Sequence, residues 1–186
     1  MVKILLFLAV AFSSSAFSQD TTVLKNEFDY EVYLKSQRLK YQGKQFPEFV
    51  VKTSDTGYFS NVNLNNKVVF INFWFKSCAP CIAEIDAFNE LFNKLKSNPD
   101  FLFLSLTFDS DSTIKKVAAT YNIEYNIFHI DRAECYRLNF KNGFPTSFIL
   151  DRKGLIRFYR TGGQIEKEKS TKEVMTQIYP EILKIL

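Results

Sequence analysis

Eight consecutive residues, Val68-Val69-Phe70-Ile71-Asn72-Phe73-Trp74-Phe75, are apolar but for Asn72, and two cysteines three positions apart, Cys78 and Cys81, follow almost at once. A run this rich in β-branched and aromatic side chains suits a central strand buried on both faces, which requires a sheet covered by helices on either side. Behind the cysteines Ile82, Ile85, Phe88, Phe92 and Leu95 recur at helical spacing, and Asn98-Pro99 closes that helix. Phe101 to Leu106 then reads as a second buried strand. Strand, helix and strand of these lengths make a βαβ unit with a right-handed crossover, so the fold class is α/β. The cysteine pair falls where strand becomes helix.

The remaining segments fit around that unit. Phe46 to Val51 is extended, and Asp55-Thr56-Gly57 has the turn chemistry to fold it into a hairpin. Asp111 and Ser112 are placed to cap a helix carrying Ile114, Val117 and Ala118, and an extended piece around Ile127 to Ile130 follows. Thr146 to Leu150 and Leu155 to Tyr159 flank Asp151-Arg152-Lys153-Gly154 as an antiparallel hairpin. Ser170 with Glu173 reads as a capping box for a last helix, whose apolar face is Val174, Ile178, Ile182 and Ile185 and which Pro180 should kink. In the lead-in from Gln19 to Gln42, Tyr30, Val32 and Leu34 alternate as in a strand, although a short helix also fits.

The first eighteen residues have a basic start at Lys3, an apolar run from Ile4 to Phe12 and the small-residue site Ala16-Phe17-Ser18. These are the marks of a secretory signal peptide, and the run falls short of the ~20 residues that span a bilayer. The expected organisation is a leader at 1–18, an extension at 19–42 and one domain at 43–186, exported to the periplasm or cell envelope. Twenty phenylalanines imply an aromatic core. The formal charge of +4, which becomes +3 without Lys3, is scattered and does not point to nucleic acid.

Cysteines occur only at 78, 81 and 135, too few for a disulfide-stapled secreted scaffold, so the close pair points to redox chemistry. A cysteine attacks a disulfide only as its thiolate. At the first turn of a helix, Cys78 would face unpaired backbone NH groups and the positive end of the helix dipole, which favour that anion. Cys81, one turn on, is close enough to resolve the mixed disulfide that Cys78 forms. Pro80 suits an early helix position, where its missing NH costs nothing.

The segment KVVFINFWFKSCAPCIAE resembles the NFW-x-x-x-C-x-P-C-x-x-E signature of the thioredoxin superfamily, in particular its exported TlpA/ResA-like branch. The likeness runs from about Gly43 to Gly163 and takes in Phe46-Pro47-Glu48-Phe49 and Gly143-Phe144-Pro145-Thr146-Ser147-Phe148. It implies a thioredoxin-like fold, a central mixed sheet flanked by helices, with an N-terminal extension and hairpin. By the same resemblance the bond before Pro145 is cis, Pro145 faces the cysteines and keeps metal ions off them, and the Phe144 backbone pairs with an extended peptide. Glu84 becomes the proton acceptor for Cys81, all the more because Asn72 stands where thioredoxins usually carry a buried Asp. The implied activity is thiol-disulfide exchange without a cofactor, usually reduction, on disulfide-bearing protein substrates such as apocytochrome c, with electrons from a membrane thiol carrier. Trp74, Ala79, Pro80, Phe144 and Pro145 are the expected substrate-facing residues, although Trp74 fits the core equally well. One departure is Ser77, preceded by Lys76, where many relatives carry Trp; the lysine would favour the Cys78 thiolate if it pointed inward.

Other readings of these residues fit the sequence less well. A zinc site needs four ligands, and only Cys135 and His129 are left to join the pair. Cys135 fits a small buried hydrophobe, with a mixed-disulfide role as the alternative, and His129 fits a structural role. Gly162 and Gly163 suit either a loop beside the active site or a plain turn. A peroxiredoxin would need Pro and Thr where Ile71 and Phe75 stand, and a redox-inert binding module would have no use for the pair, Glu84 and Pro145 together.

Overall fold

The computed structural model describes residues 41–52 and 57–186, together with Val32, Lys35, Ser36, Leu39 and Lys40. The leader assigned to 1–18 and the turn residues Asp55 and Thr56 lie outside the described residues. So do Tyr30 and Leu34, while Val32, between them, is helical rather than extended. The described residues from Lys35 onward belong to one compact unit.

Its centre is a mixed sheet of five strands in the order β5-β4-β3-β6-β7. The buried run supplies β3 (Val68–Trp74), with β4 (Phe101–Thr107) parallel to it on one side and β6 (Thr146–Leu150) antiparallel on the other. Beyond them lie β5 (Asn126–His129), parallel to β4, and β7 (Ile156–Thr161), antiparallel to β6. Every residue of β3 is buried, as its unbroken apolar pattern requires. A separate two-stranded hairpin pairs β1 (Val50–Lys52) with β2 (Tyr58–Ser60), which agrees with the turn expected between them.

The helix after the cysteines is not continuous. It runs as α1 (Ala79–Ala83) and α2 (Ile85–Leu95), with Glu84 closing the first and capping the second. Next come α3 (Asp111–Tyr121) and α4 (Arg132–Leu138). The N-cap of α3 is Ser110, whose hydroxyl accepts from Thr113 N, so the capping residue stands one position before the expected Asp111. The last helix also starts earlier than expected. It begins as α5 (Lys167–Glu173), passes through a π turn over Val174–Ile178 and ends as α6 (Tyr179–Leu183). Ser170 is therefore inside α5 and buried, where it cannot act as an N-cap, and no capping box forms. The disturbance expected at Pro180 takes the form of the π turn just before it, with Pro180 in the first turn of α6.

Two apolar clusters sandwich the sheet. Val69, Ile71, Phe73, Leu104, Leu106, Phe148 and Tyr159 meet Cys135 and Leu138 of α4, together with Phe46, Phe49 and Tyr41. On the opposite face Val68, Phe70, Phe101, Phe103, Ile149 and Phe158 pack on Phe88 and Leu91 of α2 and on Val174, Ile178 and Ile182. Among these apolar residues runs one polar row. Ser105, Asn72, Ser147 and Arg160 are register partners from strand to strand, so their side chains share the α2 face, and all four are buried. Asn72 Nδ2 donates to Ser147 Oγ at 3.4 Å.

Candidate active site

The chain leaves β3 at Trp74 and turns tightly: Cys78 N donates to Phe75 O at 3.1 Å, and Lys76 N to Asp109 Oδ2 at 2.5 Å, which ties this turn to the segment after β4. Cys78 is the N-cap of α1, with extended backbone, and Pro80 follows in the first turn. Cys78 and Cys81 are joined as a disulfide with Cα atoms 5.2 Å apart, and Cys81 N donates to Cys78 Sγ at 3.3 Å. A backbone NH aimed at that sulfur stabilises negative charge on it once the bond opens. Both cysteines are buried, Cys78 at 6% exposure and Cys81 at 3%. Ala79 is exposed and Pro80 half-buried beside them.

One turn after Cys81 the Glu84 side chain is fully buried and ion-paired with Arg160 Nη2 of β7. Arg160 is itself 7% exposed, and its Nη1 reaches Glu173 Oε2 of α5 at 3.0 Å. Gln164 Nε2 donates to the other Glu173 oxygen at 3.2 Å. One guanidinium thus serves two carboxylates. Burial raises the Glu84 carboxyl from 4.5 to about 7; the charge and hydrogen bond of Arg160 oppose the rise, and Glu173 adds to it by repulsion. Gly163, just after β7, closes over this carboxyl: a Cβ there would stand 2.9 Å from Glu84 Oε1 and 3.1 Å from Pro145 Cγ. The same two glycines that fitted either a plain turn or a loop beside the active site therefore form the loop, and Gly162 N donates to Pro145 O at 2.9 Å.

The other expected residues divide between this site and the core. The Phe144–Pro145 bond is cis, Pro145 is buried, and Phe144 is half-buried against Phe75, Phe108 and Tyr136. Trp74, expected either at the substrate-facing surface or in the core, is 4% exposed and packs with Cys78, Cys81, Ile85 and Val117, so it supports the pair from beneath. Lys76 and Ser77 are exposed, and the lysine does not point inward. Cys135 is a free thiol buried on α4, where burial pushes it up to about 12, which agrees with a small core hydrophobe. His129 Nδ1 meets Asp109 O at 2.7 Å, a contact that steadies the loop behind Lys76.

Residues 42–159 match the sequence profile described as the AhpC/TSA family. The chain belongs to the AhpC/TSA family. Curated relatives of this AhpC/TSA member include the thioredoxin-like protein YneN of Bacillus subtilis, 28% identical over 77% of this chain and 85% of that one. The thiol-disulfide oxidoreductase ResA of Bacillus cereus is 26% identical over 81% of this chain and 86% of its own. Among solved structures, a Chlorobium tepidum protein assigned as thiol:disulfide interchange protein DsbE superposes with a TM-score of 0.65 at 23% identity, over 76% of this chain and 97% of that one. The thioredoxin domain of a Bacteroides vulgatus thiol-disulfide oxidoreductase gives 0.59 at 20%, over 72% and 97%. At those identities the superpositions establish the thioredoxin-like fold.

In the sequence of this AhpC/TSA member Arg160 carries no expectation, and Glu173 is expected only as half of a capping box with Ser170. A signal for the first was present: Phe158 and Arg160 stand two apart on one strand, so a charge shares the face of a buried phenylalanine. Nothing in the spacing near Glu173 pairs it with a residue thirteen positions earlier.

Proposed function

We propose that the chain is a thiol-disulfide oxidoreductase that reduces disulfide bonds of protein substrates outside the cytoplasm. The observation that carries this reading is the Cys78–Cys81 pair itself, which caps a helix and stands one turn from a buried carboxyl. Relatives named ResA and YneN that align over most of the chain support it. In the reduced protein the Cys78 thiolate attacks one sulfur of the substrate disulfide, forming a mixed disulfide and expelling the first substrate thiolate. Cys81 gives its proton to Glu84 and attacks Cys78 Sγ, which re-forms the internal disulfide and releases the second substrate thiolate. Two electrons pass to the substrate, and the Cys78–Cys81 bond replaces the bond lost there.

A carboxyl that ionises near 7 accepts this proton and returns it within the range where such exchange runs. Among the described residues neither backbone group of Phe144 has a backbone partner, so an extended substrate can pair with it beside Cys78. Export through a leader at 1–18, resupply of electrons by a membrane thiol carrier and apocytochrome c as one substrate complete the proposal. No helix of the described residues is long and apolar enough to cross a membrane. Reduction of a model disulfide by the reduced wild type and by Cys78→Ser tests the assignment. Loss of turnover in Cys78→Ser, with a mixed disulfide trapped by Cys81→Ser, is the expected result; equal activity of wild type and Cys78→Ser, or consumption of peroxide instead, refutes it.

A further inference from the structure

We infer that Arg160, anchored by Glu173, is a positioning residue for the exchange: it holds the Glu84 carboxyl against Gly163 and Pro145 and links its ionisation to the C-terminal helix. This rests on the proposed role of Glu84 as proton acceptor for Cys81. Three features of the geometry support it. Arg160 lies at the end of the polar row that crosses beneath the cysteine helix, in a strand face otherwise given to apolar packing. A charge so placed needs partners, and two of its three guanidinium nitrogens find one carboxylate each, Nη2 with Glu84 on the site side and Nη1 with Glu173 on α5. Finally, the space around the Glu84 carboxyl is fully used, since even a methyl group at Gly163 would collide with it.

The charges around Glu84 come from every packed element. Arg160 comes from β7 and Glu173 from α5, while Asp86 on α2 is tied to Lys167 of α5 at 2.7 Å. Tyr125, ahead of β5, is a buried phenol whose ionisation is opposed first by burial and then by Glu84 and Asp86. Of these, Arg160 alone is a cation in contact with the Glu84 carboxyl, and Glu173 competes for it. Glu173 is 24% exposed, so solvent or a bound partner at α5 can alter its hold on the guanidinium. Whatever strengthens the Glu173–Arg160 contact weakens the support for a charged Glu84, and whatever loosens it strengthens that support.

The decisive variant is Glu173→Gln, which keeps the size of the side chain and removes only its charge. Arg160 then serves Glu84 alone, and the Glu84 carboxyl, followed by carbon NMR in the full chain, should titrate lower by about half a pH unit or more. The pH midpoint of disulfide reduction should move down with it, and the shift should vanish in a Glu84→Gln background. Arg160→Gln should move both midpoints up by about one pH unit or more. Arg160→Lys, which keeps the charge but loses the planar fork, should return the Glu84 titration part of the way toward wild type. Unmoved Glu84 titration in folded Glu173→Gln and Arg160→Gln would overturn the inference while leaving the oxidoreductase reading intact. A wild type that does not reduce disulfides would overturn that reading, and the NMR titration would still judge Arg160.

Discussion

Replacing Glu84 by Gln should change how stability depends on pH more than it changes stability at any one pH. In the folded protein burial carries this carboxyl from 4.5 to about 7 in spite of Arg160. A carboxyl whose folded value is raised binds its proton more tightly when native, so its contribution is fully present below pH 4.5 and is lost as pH rises to 7. At about 1.36 kcal/mol per pH unit, that rise corresponds to a loss of roughly 3 kcal/mol between the two limits, and no further change above them. Gln cannot titrate. The stability of the wild type minus that of Glu84→Gln should therefore fall by roughly 3 kcal/mol from pH 4.5 to 7.5, whatever constant offset the lost Arg160 contact adds. Urea unfolding of both proteins at four pH values, each kept oxidised at Cys78 and Cys81, measures the difference directly. A difference that stays level across this window, or one that grows with pH, would refute the reasoning, because it would mean the Arg160 charge outweighs burial.

Three further outcomes follow from the packing and the backbone. Gly163→Ala should cost about 1–3 kcal/mol in urea unfolding and slow disulfide reduction, because the new methyl meets Glu84 and Pro145. Gly162→Ala is the control: its φ of +79° makes any side chain costly, yet a Cβ there touches nothing, so it should lose stability while the titration of Glu84 stays in place. Cys135, buried and with its thiol pushed up to about 12, should resist a thiol-specific reagent in native protein at pH 8 and react only on unfolding; labelling of the native protein at the rate of a free thiol would contradict its placement.

The sequence by itself determined the elements whose cause is local. The continuous apolar run of β3 has one stable environment, a sheet covered on both faces, and two cysteines spaced by a helical turn behind it must lie at a strand-to-helix junction. The hairpin of β6 and β7 and the two-sided core follow from alternation and turn chemistry in the same way. The cis peptide bond before Pro145 was legible only through resemblance, as is the role proposed for Glu84, since neither leaves a mark in periodicity.

Tertiary structure decided what depends on contacts between distant positions. Glu84 and Arg160 are 76 residues apart, and which charge faces which is settled only when β7 is laid beside β6 in register. The same placement pairs Glu173 with Arg160, while the expected capping pair of Ser170 and Glu173 is lost because the helix begins at Lys167 and leaves Ser170 in its interior. The helix is also interrupted at Glu84, where hydrophobic spacing alone indicated continuity. Apolar periodicity records which side of an element is dry. It carries no record of which polar group waits there, because a single buried charge is satisfied by any correctly placed partner, whatever its distance along the chain.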